Sequence, residues 1–269
     1  MNVLLAITPL MMAMNALADK SSAKEQIRVM PVARTPESNT IVLKVAVPEK
    51  GTVLDGNPVW IQFRIDGYAL GSDSQFDRAD EIVGTDMGQT IHVVIDDFPY
   101  FPINEPAIDP FNEDGYFYDT SYKFEVPFSL KQGMHTIRIF PARSFGESLK
   151  GENTFHGTYF YLGSQKNNQN LDLSGPYLTY NEPSDELPLA SDKPVLLDFY
   201  LTNCELSPDG YKVRLTVDDT INRILTSWQP YYIYGLKKGR HKVLLSLLDS
   251  RNLVVPGQFN QVQRTITIH

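Results

Sequence analysis

Histidine and aspartate recur in this sequence at spacings that could support proton transfer or metal binding. His135 and His241 each follow a glycine by two residues, and aspartates are paired at Asp96-Asp97 and Asp218-Asp219. A histidine beside a carboxylate can exchange protons near neutral pH, and paired carboxylates can bind calcium. Each aspartate pair also stands at a turn, where Asp side chains commonly hydrogen-bond the nearby backbone. We therefore predict that the aspartate pairs end strands and that the two histidines each cap one end of an apolar core.

His92 could in principle share a metal ion with His135. Strand alternation places His92 on the solvent-facing side and His135 on the inward side, so the two would not converge on one ion. The sequence contains no Gly-x-Ser-x-Gly, His-Glu-x-x-His or phosphate-loop motif. We therefore predict no catalytic residue, no metal site and no cofactor. The alternative is a metal- or carboxylate-dependent hydrolase that uses Asp96, Asp109 and Asp114 with His92.

A long insertion carries the residues best suited to bind a partner. The sequence contains an internal repeat, in which the interval from Asp97 to Leu130 corresponds to the interval from Asp219 to Leu236. The first interval spans 33 positions and the second spans 17. Exposed aromatic rings beside acids could stack on sugars or hold a peptide, and burial of the loop against its own domain is the other interpretation. A second insertion, Gly71 to Asp86, is polar and acidic. The candidate partner surface comprises Tyr100, Phe101, Asp109, Phe111, Asp114, Tyr116, Phe117 and Tyr118.

An internal repeat supplies the elements that must position these residues. Three sequence blocks recur in the same order, with offsets of 136, 122 and 106 residues, as duplication followed by loop insertion would leave them. Alternating apolar residues such as Ile91, Val93 and Ile95 predict half-buried strands. The pattern predicts an all-β protein with two tandem β-sandwich domains. The blocks begin at Pro58, Gly88 and Leu130 in one copy and at Pro194, Gly210 and Leu236 in the other.

The N-terminal residues resemble a secretory signal. Val3 to Met14 is apolar and is followed by the small-residue sequence Ala16-Leu17-Ala18. The apolar run is too short to span a bilayer, and no later segment is long and apolar enough to do so. We expect the following division: residues 1–18 signal peptide, 19–38 flexible tether, 39–163 first domain, 164–174 polar linker that lets the domains reorient, and 175–269 second domain.

The composition narrows the classes of partner. The formal net charge is −8 and the sequence pI is about 5.1, and no basic stripe interrupts this acidity, so nucleic acid is not an expected partner. Cys204 is the one cysteine, which excludes an intrachain disulfide. We expect the Cys204 side chain to act as a small apolar group that is buried or half-buried.

The Leu-Lys-x-Gly-x-His block, followed by an alternating strand and a final apolar strand, resembles immunoglobulin-like domains common in bacterial envelope proteins. It is also similar to small bacterial domains in which an Ile-Asp strand end precedes a Leu-x-x-Gly-x-His-Thr turn, here Ile95-Asp96 and Leu130 to Thr136. The resemblance implies tandem immunoglobulin-like sandwiches and transfers no catalytic residue. It favours a non-catalytic exported protein, periplasmic or at the cell surface, that binds or supports a protein or glycan of the envelope. An architectural spacer is the other non-catalytic alternative.

Overall fold

The computed structural model describes residues 27–105, 121–165, 171–185 and 188–269, and strands dominate these residues. A short helix, Arg78–Glu81, and a 3-10 turn, Gln258–Asn260, lie between strands. The strands are β1 (Arg28–Pro31), β2 (Val42–Val47), β3 (Val53–Leu54), β4 (Trp60–Asp66), β5 (Thr90–Ile95), β6 (Phe101–Ile103), β7 (Ser121–Glu125), β8 (Gly133–Ala142), β9 (His156–Leu162), β10 (Tyr177–Glu182), β11 (Val195–Thr202), β12 (Lys212–Val217), β13 (Ile221–Leu225), β14 (Tyr231–Tyr234), β15 (Gly239–Leu248) and β16 (Gln261–Ile268).

Two sheets form the first sandwich. One has the order β2-β4-β7 and the other the order β3-β9-β8-β5-β6. The predicted apolar face is present, since Ile91, Val93 and Ile95 are all fully buried. They join inward residues of the facing sheet, such as Ile61 and Phe63, in one core.

The second sandwich repeats the strand order of the first. Its sheets are β10-β11-β14, extended by β1 at the β14 edge, and β13-β12-β15-β16. If β1 and β3 are set aside, the first, second and fifth strands of each half form one sheet, and the fourth, third, sixth and seventh form the other. Two antiparallel sheets packed in this way form an immunoglobulin-like sandwich. The all-β sandwich prediction is confirmed.

Strand β1 precedes the first sandwich in the chain but belongs to the second. It pairs with β14 in antiparallel register, with Val29 opposite Ile233 and Met30 opposite Tyr232. Without it, β14 would leave the backbone groups of a sheet edge unpaired. The prediction of a flexible tether over residues 19–38 is therefore wrong at Arg28–Pro31, and the predicted signal peptide lies outside the described residues.

The two sandwiches pack against each other through faces that alternation would assign to solvent. Every residue of β5 is buried, as is every residue of β10. Between the sandwiches, Phe140 contacts Tyr200, whose ring stacks on Phe155 at 4.3 Å between centroids. The expectation that a polar linker lets the domains reorient is wrong, because an extensive buried interface joins them. Leu171, within the predicted linker, is itself buried.

Two smaller expectations concern Cys204 and the membrane. Cys204 is half-buried against the second core, as predicted, and burial raises the pKa of its thiol to about 11. Within the described ranges, no helix has the length and apolarity needed to cross a bilayer.

Packing of β1 predicts a measurable stability effect. Val29 is half-buried against the second core, whereas Met30 is 48% exposed on the same strand. We expect Val29→Ala to lower the free energy of unfolding by about 1 kcal/mol through lost apolar burial. Met30→Ala should change it by less than about 0.5 kcal/mol. Urea denaturation of both variants tests this, and equal effects would contradict the docking of β1 on the second sandwich.

Candidate functional site

The candidate site lies between the sandwiches and contains His92 of β5. This residue is 2% exposed, so the prediction that it faces solvent is wrong. Alternation correctly directed its side chain away from the first core, but the second sandwich covers that face. The imidazole stacks on the Tyr100 ring, with 3.6 Å between centroids and 8° between planes.

A chain of hydrogen bonds connects His92 to a buried ion pair. Lys150 Nζ lies 2.6 Å from Asp198 Oδ1, and both side chains are almost completely buried. Asp198 Oδ2 accepts hydrogen bonds from the Ser148 hydroxyl and from Asn181 Nδ2 at 2.5 and 2.8 Å. Asn181 Oδ1 lies 2.7 Å from His92 Nδ1. We call Lys150, Asp198, Asn181 and His92 the interface network; its two end residues belong to the first half of the chain and its two middle residues to the second sandwich.

The interface network fixes the proton position on His92. Asn181 Nδ2 donates to Asp198 and also to the Gly146 carbonyl, at 2.7 Å, so both of its hydrogens are used. Its Oδ1 must then accept, and His92 Nδ1 must carry the proton. Burial lowers the pKa of His92 to about 4 despite the bond to Asn181. The ring is therefore neutral at pH 7, with an unprotonated Nε2.

A second buried polar cluster lies beside the network. The Tyr100 hydroxyl donates to Glu182 Oε1 at 2.6 Å, and the Ser184 backbone N–H donates to Glu182 Oε2 at 2.7 Å. Burial raises the pKa of Glu182 to about 8, although these hydrogen bonds act in the opposite direction. A mostly protonated carboxyl group thus sits in the interface at neutral pH.

A cavity of about 210 Å³ opens beside these residues. We call it the interface cavity. The buried residues His92, Tyr100 and Thr90 line it, and so does the exposed residue Asp86. Its remaining lining comes from Gly84, Thr85, Met87, Pro102 and Pro188. Neutral imidazole, carboxylate and aromatic groups thus meet in a small space between the sandwiches.

The structure separates the members of the predicted partner surface. The prediction is wrong for Tyr100, which is 4% exposed and bonded to the second sandwich. Phe101 is half-buried and packs on the first core. Burial of these two against neighbouring structure matches the alternative interpretation of the loop. The other members, Asp109, Phe111, Asp114, Tyr116, Phe117 and Tyr118, lie outside the described residues.

The histidines after the glycine turns have the predicted capping role. His135 Nδ1 lies 2.7 Å from Asp96 Oδ2, and its Nε2 lies 2.7 Å from the Lys131 carbonyl. His241 makes the same two contacts, at the same distances, with Asp218 and Lys237. Both aspartates have positive φ, +48° and +50°, which fits strand-ending turns. The capping prediction is confirmed in both halves.

These contacts bear on the hydrolase alternative. The Asp96 carboxylate is bonded to His135 and to the Thr136 backbone, whereas His92 is bonded to Asn181. The two proposed catalytic groups therefore have separate partners. Among the described residues, no group of three or more His, Cys, Asp or Glu side chains could hold a metal ion. Asp109 and Asp114 lie outside those residues.

The acidic insertion, residues 71–86, serves the interface. Arg78 on its short helix forms an ion pair with Glu147 and donates to the Tyr232 hydroxyl at 3.1 Å. Tyr232, from β14, donates in turn to Glu81 at 2.6 Å. Ile82 is buried with Tyr232 in a small apolar cluster. The sequence predicted a functional surface on the first repeat. At this insertion, the structure shows a contact with the second sandwich.

The residues that join the halves were not predicted from the sequence. Asp198 interrupts the apolar run of β11, and a charged residue inside such a run signals a buried partner. Lys150, Asn181 and Glu182 carried no comparable signal, because polar residues in irregular segments or at strand ends are ordinary. Their roles follow from the contact between two sandwiches, which no local pattern records.

No protein-family model and no curated protein matches the chain. Among solved structures, it is similar to the fibronectin(III)-like modules of Clostridium thermocellum CbhA, with 9% identity, a TM-score of 0.25, and 84% of this chain and 93% of that chain covered. Dimeric latent PorU from Porphyromonas gingivalis shows 11% sequence identity and a TM-score of 0.28, and the match covers 86% of this chain and 20% of the PorU chain. The chicken CNTN1 FN1-FN3 domains show 11% sequence identity and a TM-score of 0.21, and the match covers 88% of this chain and 68% of that chain. These TM-scores are too low to assign a fold or a function.

Glu182 predicts a pH dependence of stability. A solvated Glu has a pKa of about 4.3, so the folded chain holds a proton that the unfolded chain has lost, up to about pH 8. Stability must therefore fall as pH rises through this range. The lowered pKa of His92 gives the opposite slope between about pH 4 and its ordinary value near 6.5. The net fall in stability should therefore be visible between pH 6.5 and 8, where the opposing effect of His92 has ended.

Glu182→Gln should reduce the fall in stability between pH 6.5 and 8, because the amide does not titrate, and the raised pKa of His135 should leave a residual fall in the variant. The exposed Glu125→Gln is the matched control and should follow the wild type. Urea denaturation at several pH values measures the slopes. Parallel profiles for wild type and Glu182→Gln would show that Glu182 does not hold its proton in the folded chain.

Gly146 predicts a steric test of the interface. It has φ +86°, and a Cβ there would lie 2.9 Å from Glu182 Oε1. Gly146→Ala should therefore lower the free energy of unfolding by more than about 1 kcal/mol. At Gly175 an added Cβ meets nothing within 4 Å, so Gly175→Ala should have little effect. Thermal denaturation compares the two, and an unaffected Gly146→Ala would contradict the close approach of the sandwiches.

Proposed function

We propose that this protein is a non-catalytic, exported binding or structural module whose two sandwiches act as one unit toward a glycan or protein of the cell envelope. The buried, hydrogen-bonded interface is the observation that carries the proposal. It joins Lys150 of the first half to Asp198 of the second, and it spans both halves of the chain. Buried polar groups with satisfied bonds are a common means of fixing one arrangement of packed elements.

Exposed aromatic side chains at one end of the first sandwich support a binding role. Trp60 is 42% exposed, with Lys123 Nζ 5.2 Å from its ring centroid. Phe98 is 47% exposed and lies 5.1 Å, between centroids, from Phe128. Large exposed aromatic residues are favoured anchors in binding surfaces.

An open groove of about 430 Å³ lies beside these rings. Phe128 lines it, and so does Glu125, the strand partner of Trp60. The rings and the neighbouring carboxylate offer stacking and hydrogen bonding together, as sugar recognition requires. This surface is separate from the interface, so it remains available when the sandwiches are packed.

Binding of full-length wild type to an array of bacterial envelope glycans and to immobilised envelope proteins tests the proposal. We expect Trp60→Ala to weaken binding at least about ten-fold, since a central aromatic anchor contributes about 2 kcal/mol or more. Leu253→Ala, at a 55% exposed site of the second sandwich, is the control and should bind normally. A third variant, with residues 106–120 replaced by a short Gly-Ser connection, asks whether the predicted partner surface contributes.

The outcomes separate the alternatives. Saturable binding that depends on Trp60 or on residues 106–120 supports the module. Wild-type binding that neither change affects would overturn the proposed surface. Absence of binding to every glycan and protein would favour an architectural spacer, and hydrolysis of an array glycan would favour the enzyme alternative.

A further inference from the structure

The interface cavity has a chemical preference that follows from the proton position on His92. Because Nδ1 carries the proton and donates to Asn181, the lone pair belongs to Nε2. His92 lines the cavity and Asn181 does not, and the Nδ1 edge of the ring is occupied by Asn181, which leaves the Nε2 edge to meet a ligand. Within the described part of the chain, Nε2 makes no hydrogen bond.

The second polar group of the cavity is also an acceptor. Asp86 lines the cavity and is exposed, which places an anionic oxygen where a ligand would enter. The Thr85 hydroxyl oxygen already accepts a bond from the Met87 backbone at 3.1 Å. Tyr100, Met87, Pro102 and Pro188 supply apolar walls. The lining thus combines these two acceptors with the Thr85 and Thr90 hydroxyls and with apolar surface, and the Asp86 carboxylate disfavours an anion.

The volume suits a small organic molecule. A cavity of about 150 Å³ is known to hold benzene, and this one measures about 210 Å³. A metal ion is a poorer occupant, because His92 and Asp86 supply two ligands where stable protein sites use three or four.

We propose that the interface cavity binds a compact primary ammonium group, which donates to His92 Nε2 and is attracted by Asp86 and by the Tyr100 ring. The ammonium supplies several N–H donors, and an attached short apolar chain fits the proline and methionine walls. An amine can come from a free small molecule or from a lysine side chain of a peptide. This inference goes beyond the proposed module function and does not depend on the Trp60 surface.

Nitrogen NMR of the full chain, labelled at its 5 histidines, tests the proposal directly. Butylamine, butanol and butyrate share a carbon skeleton and differ in the group offered to His92. We expect the free chain to show an unprotonated His92 Nε2 whose resonance moves saturably with butylamine, moves less with butanol and is unaffected by butyrate. A lysine-containing tripeptide, titrated in parallel, distinguishes a peptide source from a free amine by whichever binds more tightly.

Two variants sharpen the test. Asp86→Asn, at an exposed site, should keep the fold and weaken butylamine binding about two- to five-fold, as expected for one partly solvated charge. His92→Phe should abolish saturable binding, and if it does not fold, the wild-type titration and Asp86→Asn still decide the matter. A protonated Nε2 in the free chain, equal binding of butyrate and butylamine, or no saturable response to either amine source would overturn the proposal.

Discussion

A buried carboxylate at Asp198 imposes the constraint on which the interface depends. Its side chain has no solvent exposure, and an isolated charge in such a place would be strongly destabilising. Lys150 neutralises it from the first sandwich, while Ser148 and Asn181 occupy the other oxygen. Removing one member of a buried ion pair costs about 3–5 kcal/mol, because the other charge is left without a partner. Any packing of the sandwiches that buried one of these charges away from the other would carry that cost, so the pair favours the arrangement in which the two meet.

The surrounding structure follows from that contact. Asn181 is oriented by Asp198 and by the Gly146 carbonyl, and it in turn sets the tautomer of His92. Around this polar centre, Tyr200 and Phe140 exclude water, and Arg78 joins the acidic insertion to Tyr232. Strand β1 adds a further connection, since the chain must leave the second sandwich to build the first and then return. Polar bonding, apolar packing and chain path therefore all act across one boundary.

Local pattern was sufficient for the elements of each sandwich but not for their assembly. Alternation identified the core side of β5 at Ile91, Val93 and Ile95, and the glycine turns correctly located the capping histidines. The same rule failed at His92, because alternation distinguishes two faces of a strand without stating what covers the second. Likewise, Arg28–Pro31 has no long apolar pattern, and its strand pairing arises only because β14 offers a free edge. Tyr100 was predicted to lie on a binding surface for a related reason. The sequence does not distinguish an aromatic residue that is exposed to solvent from one that a neighbouring domain covers.

The buried interface should make the two sandwiches fold and unfold as one unit. Hydrogen exchange across a urea series, read by mass spectrometry for peptides of β8 and β15, tests it in the wild-type chain without any substitution. These strands lie in the centre of the two separate cores. If the interface couples the halves, both strands should lose protection at the same urea concentration. Loss of protection in one strand while the other remains fully protected would contradict the claim and show that each sandwich is stable alone.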